Sequence, residues 1–344
     1  MKKKRVSIKD IASDLNISVT TVSFVLNGKA EEKHISKELT QKVLDYVKKV
    51  NYKPNQIAQS LRTGESKILV FMVEDISNLF FAKLARLIED LAYKKGYKVL
   101  FCSNDNEDKK TIELINLFKV RQVDGFILVS SPGIQTTINQ LIEENIPLVL
   151  LDRYFPTLDT NYVITDNSDA TFMAIMHFIE NGFKNIAYIT IDATQSQMDD
   201  RLSGYKNAVN KYSLPNYTLE IPFNEAIRDN SEVYIEEFLK KHPDIDAILF
   251  ATNYLTQAGL KVIKEQYTDL IDRIGIITFD DNELFKTYSP SITAVAQPTT
   301  EMAEKSMELI LQLIKNKEKA LPNKHIVLKS SLVIRESSKK RSQS

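Results

Sequence analysis

The chain is poor in the residues that covalent and metal chemistry needs. One cysteine, Cys102, stands in 344 residues, which excludes an internal disulfide and a cysteine-built metal cage. The four histidines, His34, His177, His242 and His325, show no metal-ligand spacing. No G-x-G-x-x-G, Walker loop or G-x-S-x-G occurs. The sequence therefore predicts no catalytic residues, no cofactor and no metal. Asp280-Asp281 is the one acidic pair that invites an acid/base reading, but neighbours on a turn diverge, and a hydroxyl clamp beside a structural aspartate suits them better. No run of about eighteen apolar residues is present, so no segment is expected to span a membrane. The basic start Met1–Ser7 is followed by Asp10 and Asp14 where an export signal needs an apolar stretch, which predicts a cytoplasmic protein.

Net charge is absent as well: 45 Lys and Arg balance 45 Asp and Glu. The distribution is uneven, however. Residues 1–64 carry 13 Lys and Arg against 6 Asp and Glu, and the remainder carries the opposite excess. A basic head on an acidic body suits contact with a polyanion, or else a solvated arm.

The head has a definite pattern. Ser7 caps a helix with Asp10 three residues on, and Ile8, Ile11, Ala12 and Leu15 recur at helical spacing. Ser18 caps a second helix from Val19 to about Asn27, with Val22, Val25 and Leu26 facing inward. A third helix begins near Ser36, with Leu39, Val43, Val47 and Val50 as its stripe. Two short helices joined by about three residues and braced by a third predict a helix-turn-helix; spacing alone would also allow a generic three-helix bundle.

The body alternates. Strand-like runs at Ile68–Val73, Lys98–Cys102, Gly125–Val129, Leu148–Leu151, Ile186–Ile191, Ala247–Ala251 and Gly275–Thr278 are separated by helical runs such as Phe80–Lys95 and Ala170–Asn181. Such β-α alternation predicts doubly wound parallel sheets, and its length exceeds one sheet, so two lobes are expected.

The wording of the head settles between these alternatives. Val6-Ser-Ile-Lys-Asp-Ile-Ala, Ser18-Val-Thr-Thr-Val-Ser23, Val25-Leu26-Asn27, Asn51-Tyr52-Lys53-Pro54-Asn55 and Ala58-Gln59-Ser60-Leu61-Arg62 resemble the lactose-repressor/galactose-repressor family of transcription regulators. The resemblance implies an α/β protein in which an all-α helix-turn-helix domain precedes a two-lobed sensor laid out like periplasmic sugar-binding proteins. The corresponding segments are a DNA-binding domain at 1–53, a hinge helix and linker at 54–66, a first lobe at 67–164 with 298–322, and a second lobe at 165–297 with 323–338.

It also implies roles. The second helix enters the major groove by its N-terminus, where Val19 packs on a thymine methyl and Thr20 bonds a base edge. Val19 has a core reading too, but Val22 and Val25 already supply the inward face. Ser7, Ser18, Thr21, Ser23 and Asn27 suit backbone contacts. Phe24 departs from the family's usual polar or charged residue; the ring packs on thymine or supports the turn. Residues 28–35 are about three longer than in founding members, forming either a loop to the backbone or a solvated bulge. Asn55, Ala58 and Leu61 belong to the hinge, with Leu61 as a minor-groove wedge or as a residue packed on the sensor.

For the sensor, the resemblance implies a small effector, a carbohydrate by the family's habit, clamped by Arg201, Asp280 and Asn253. Asp152, Phe80, Phe223 and Gln297 stand behind them, the two phenyl rings stacking on a sugar. Arg201 is expected at the start of a helix, forking towards Asp280 and Asn253. Tyr254 stands where the family usually has aspartate. The implied partners are a near-palindromic DNA operator and a second copy of the chain. A plain solute-binding protein without regulatory role is the alternative.

Overall fold

The computed structural model describes residues 6–52, 64–226, 230–267, 270–271, 273–317, 319 and 321–339. The chain divides into two compact units, Met1–Ser66 and Lys67–Ser344.

The first unit is built on helices α1 (Ile8–Asp14), α2 (Val19–Leu26) and α3 (Lys37–Lys49). Each begins at a serine that accepts a hydrogen bond from the backbone N–H three residues on: Ser7 from Asp10, Ser18 from Thr21, Ser36 from Leu39. At α1 the box is reciprocal, because the Asp10 carboxylate accepts from the Ser7 backbone N–H at 2.7 Å. Asn16 makes the turn between α1 and α2 with φ 56°, a left-handed conformation that asparagine tolerates better than most residues. Ile11, Val22 and Val43 are fully buried where the three helices meet, and each such side chain contributes roughly 1.5–3 kcal/mol.

The second unit holds two six-stranded sheets. The strands of the first lobe are β1 (Ile68–Val73), β2 (Lys98–Ser103), β3 (Gly125–Leu128), β4 (Leu148–Leu151), β5 (Tyr162–Thr165) and, much later, β11 (His325–Leu328), in the order β11-β5-β4-β3-β1-β2 and all parallel. The strands of the second are β6 (Ile186–Asp192), β7 (Tyr217–Pro222), β8 (Ala247–Phe250), β9 (Gly275–Phe279), β10 (Thr293–Ala296) and β12 (Ser331–Val333), in the order β12-β10-β9-β8-β6-β7, with β12 alone antiparallel. The central strands β3, β4, β8 and β9 are buried throughout, as parallel strands covered on both faces must be.

Helices cover the sheets. In the first lobe these are α4 (Leu79–Lys94), α5 (Asp108–Val120), α6 (Gln135–Glu143) and the late α13 (Thr299–Lys315). A Cβ on Gly125 would meet Ile310 Cδ1 at 2.9 Å and the Pro147 carbonyl at 3.1 Å, so glycine lets the late helix settle on β3. In the second lobe α7 (Asn167–Glu180) packs against α8 (Ser196–Lys211), and α9 (Phe223–Ala226), α10 (Ser231–Lys241), α11 (Asn253–Gln266) and α12 (Glu283–Thr287) complete the set.

Three features differ from the sequence reading. The final crossing between lobes falls after Leu328, not at 322–323, because β11 pairs with β5 from His325↔Tyr162 to Leu328↔Thr165 and so belongs to the first lobe. Strands β5, β7, β10, β11 and β12 lack the long apolar runs that marked the others; they are short or lie near sheet edges, where one face needs no burial. Helix α8 starts at Ser196, so Arg201 stands on its second turn and does not open it.

Candidate functional site

In the first unit the start of α2 presents side chains outward. Val19 is 39% exposed, whereas Val22 and Val25 are buried. An exposed valine beside an exposed Thr20 is a surface that a three-helix core does not require. Behind them the hydroxyls of Ser18 and Thr21 lie 2.8 Å apart and hold one another. The Asn27 amide donates to the Ser23 carbonyl at 2.7 Å and to the Ser23 hydroxyl at 3.3 Å, bracing the last turn. The Ser7 hydroxyl is committed to Asp10 at 2.7 Å. Phe24 is half-buried, and the Lys33 ammonium lies 5.6 Å from its ring centroid. The segment after Gly28 is not an open bulge: Ile35 N–H donates to the Ala30 carbonyl at 2.9 Å, and Ala30 and Ile35 pack on the three-helix core. Asn55, Ala58 and Leu61 lie outside the described residues.

In the second unit a cleft runs between the lobes at the C-terminal ends of both sheets, where doubly wound folds place ligands. Its walls bring together five of the seven predicted effector residues: Phe80, Asp152, Arg201, Asp280 and Gln297. Asn253 joins them through hydrogen bonds to Asn78 (3.1 Å) and to Asp280 (3.5 Å). Phe223 does not: it opens α9 after β7 and packs on the core of the second lobe. Asp280 accepts from the Gln297 amide at 2.6 Å, and Gln297 accepts from Thr165 at 2.9 Å beside the first crossing between the lobes. Arg201 is not forked onto Asp280 and Asn253. Its Nε donates to Asn167 and one Nη to the Ala251 carbonyl, both at 2.8 Å. Its guanidinium carbon lies 3.6 Å from the Phe279 ring centroid, so the planar group is held by hydrogen bonds and by a ring face while Arg201 lines the cavity.

Both aspartates sit in the left-handed region, Asp152 with φ 70° and Asp280 with φ 73°. Each follows the last residue of a central strand by one position, so the turn throws the carboxylate across the strand end. Burial raises both carboxyl pKa values above the ordinary range, opposed by Arg153 and Arg201 at Asp152 and by Arg201 at Asp280. Asp281 turns away to Arg335, 2.7 Å distant, which makes it the structural member of the pair.

Glu74, Asn78 and Gln197 of the cleft were not singled out by the sequence. Glu74 follows β1 and receives the Arg153 guanidinium at 2.7 Å. Arg153 also donates to Asn106 at 2.8 Å, and Gln197 of the second lobe accepts from its Nε at 3.1 Å. The neighbouring Asp75 does not join them: it accepts from the Ser77 N–H in a local turn. Tyr254 lines the cavity with Asn78 and Thr252, and burial pushes its hydroxyl pKa up. Asparagine and glutamine carry no motif of their own, so only position past a strand end could have found Asn78 and Gln197. The residual cavity is about 40 Å³, room for little more than a water. The bonds Arg153–Gln197 and Asn253–Asn78 therefore bridge a closed cleft.

Comparison with known proteins agrees with this geometry. Residues 7–55 match the model of bacterial regulatory proteins of the lacI family, and residues 175–338 match a periplasmic binding protein-like domain. The ribose operon repressor of Halalkalibacterium halodurans is 32% identical, over 97% of each chain. The HTH-type transcriptional regulator KdgR of Bacillus subtilis is 30% identical, over 98% of this chain and 100% of its own. The lac repressor dimer bound to operator and the anti-inducer ONPF shares the fold, with TM-score 0.84 at 21% identity over 98% of this chain and 100% of its own. Among the described residues no helix is long and apolar enough to cross a membrane. With its head, its two-lobed body and its full-length relatives all in agreement, the chain belongs to the lacI family of bacterial regulatory proteins, which are DNA-binding transcription regulators and not enzymes.

Proposed function

We propose that the chain is a repressor whose hold on a near-palindromic operator is controlled by a carbohydrate bound between its two lobes. The observation that carries the ligand reading is the convergence of Asp152, Arg201, Asn253, Asp280 and Gln297 from both lobes on one closed cleft. Carboxylates and amides supply acceptors and donors at once, which suits adjacent hydroxyls. The relatives named for a ribose operon and for the lac operator are consistent with that reading.

At the head, Val19 and Thr20 read base edges while Ser18, Thr21, Ser23 and Asn27 stabilise the helix that presents them. Ser7 serves as cap more than as contact, since its hydroxyl is taken. Asn55, Ala58 and Leu61 retain the proposed hinge roles, Leu61 as the wedge. A homodimer is supported by the edge strand β2, whose Leu100 and Phe101 point to opposite faces and are each 38% exposed. An edge with apolar residues on both sides invites a covering partner. Effector and operator then change one another's affinity by the same factor.

The deciding experiment is selection of bound DNA from a random pool with the purified chain, repeated with single sugars added. A symmetric site released by one sugar is the expected result. Absence of any sequence preference under all additions would leave the alternative, a solute-binding protein that regulates nothing.

A further inference from the structure

Helix α2 is uncharged from end to end: Val19-Thr-Thr-Val-Ser-Phe-Val-Leu26 holds no Lys, Arg, Asp or Glu. Affinity for a duplex comes largely from cations placed on its phosphates. A reading helix of this composition needs them from a neighbouring segment. Phe24 is its unusual member. It stands four residues after Thr20, which puts the two on one face of the helix. Its ring is half-buried, yet Phe24 is not among the residues that pack on the three-helix core.

The segment after α2 returns to that ring. Gly28 leaves the helix with φ 70°, the Lys29 N–H donates to the Phe24 carbonyl at 2.9 Å, and the Lys33 N–H donates to the Lys29 carbonyl at 3.1 Å. His34 has φ 52°, and its N–H donates to the Glu31 carbonyl at 3.0 Å. A left-handed histidine inside a hydrogen-bonded turn marks a set conformation. The turn carries the Lys33 ammonium to 5.6 Å from the Phe24 ring centroid, where a cation is attracted by the ring face. The other partner of Lys33 is its chain neighbour Glu32, at 2.9 Å, with the two side chains 42% and 59% exposed. So exposed a pair holds weakly and gives way to a phosphate. The turn as a whole is charge-balanced, Lys29 and Lys33 against Glu31 and Glu32. Position and not bulk charge therefore distinguishes Lys33.

We propose that Phe24 is a platform that holds Lys33 on the reading side of α2, and that Lys33 contacts one backbone phosphate at the flank of each half-site. The inference rests on the operator reading above and adds a contact to it. Val19 and Thr20 stand at the end of α2 that enters the groove, and Phe24 lies one turn further along, about 6 Å towards the backbone. An ammonium on a flexible stem meets a phosphate there as a point charge, which fixes register without reading a base. The longer turn thus supplies the cation that α2 lacks.

The test uses the full chain and the DNA site that it selects from a random pool. Affinity for that site is measured over a series of salt concentrations for wild type, Lys33→Gln and Lys33→Arg. Log affinity falls with log salt by about 0.9 for each phosphate neutralised. Lys33→Gln is expected to flatten the slope by about 1.8 for a dimer, and Lys33→Arg to keep it. Ethylation of single phosphates supplies the position. One phosphate in each half-site is expected to weaken wild-type binding when ethylated and to have no further effect on Lys33→Gln. The selected base preferences are expected to be the same in all three chains. An unchanged slope with an unchanged ethylation pattern would overturn the inference and leave the operator reading intact. A changed base preference in Lys33→Gln would put the ammonium on a base edge and overturn the phosphate assignment. If the wild-type chain selects no site, the operator reading falls and the Lys33 contact with it. Phe24→Leu tests the platform by keeping an apolar side chain without a ring. Lys33→Gln is expected to cost at least about threefold less affinity in that background than in wild type. Equal losses in the two backgrounds would overturn the role of the ring.

Discussion

Asp152 and Asp280 stand at matching places in two different sheets, each one residue past a central strand and each with a positive φ, and their charges oppose one another across the cleft. A left-handed aspartate is tolerated at a cost, and two in register at strand ends mark a place where carboxylate direction matters more than backbone ease.

Burial is the largest cause raising both carboxyls, so each takes up a proton more readily in the cleft than a free carboxyl does. A hydroxyl-bearing ligand donates to the ionised form and so lowers the pKa. Ligand affinity should therefore rise with pH through the raised values, and binding should release protons there. Folding stability moves the other way. A carboxyl raised in the folded state binds protons that the unfolded chain, near its ordinary value of about 3.9, does not, so these two groups favour folding more as pH falls through that window. Calorimetry in buffers of different ionisation enthalpy measures the proton release directly; uptake in place of release would contradict it.

Arg201→Lys keeps the charge but loses the flat group that stacks on Phe279 while donating to Asn167 and Ala251. Ligand affinity should fall by more than about tenfold, with unfolding free energy lowered by about 1–3 kcal/mol for the hydrogen bonds that an ammonium cannot make together. Titration and urea unfolding of the same preparation separate the two effects.

Gly204 lies in α8 where a Cβ would come within 2.2 Å of the Ser168 carbonyl and 2.9 Å of the Thr171 Cβ. The obstacle is backbone of α7, which cannot swing aside. Gly204→Ala should cost at least about 2 kcal/mol despite the better helix propensity of alanine. An unfolding midpoint equal to wild type would mean that the two helices have slack which the geometry denies.

At the head, Thr20→Ala should erase preference at one or two base positions at a cost of about 1–3 kcal/mol on the best site, with little change on unrelated DNA. Ser23→Ala should weaken both alike and only slightly, since it removes the 3.3 Å bond from the Asn27 amide to the Ser23 hydroxyl and keeps the 2.7 Å bond to the Ser23 carbonyl. Selection profiles for the two variants are the comparison that tells reading from support.

Much of this was legible in advance because the informative residues obey local rules. Ser7 with Asp10, Ser18 before Val19 and the buried runs of β3, β4, β8 and β9 depend on spacing alone. The cleft was legible only in part. Asp152 and Asp280 follow strands that the pattern reveals. What Arg201 touches is decided by Asn167 and Ala251, residues 34 and 50 positions away, and no local rule carries that. Phe223 failed for the opposite reason: an aromatic after a strand end looks poised to stack, yet β7 lies at the sheet edge, and its exit leads onto the second lobe's own core. Strand β11 escaped because an edge strand with exposed residues has no apolar signature.

That late strand has a consequence for how the molecule is made. The sheet begun at Ile68 is closed by His325–Leu328, after the helix Thr299–Lys315 has been laid over β3. On a ribosome adding about 5–20 residues per second, the first lobe waits on the order of tens of seconds for pieces that the head does not need. For that interval a nascent chain carries finished helices α1 to α3 and an incomplete switch. A message truncated before codon 325 would yield a head that meets DNA yet answers to nothing in the cell's chemistry.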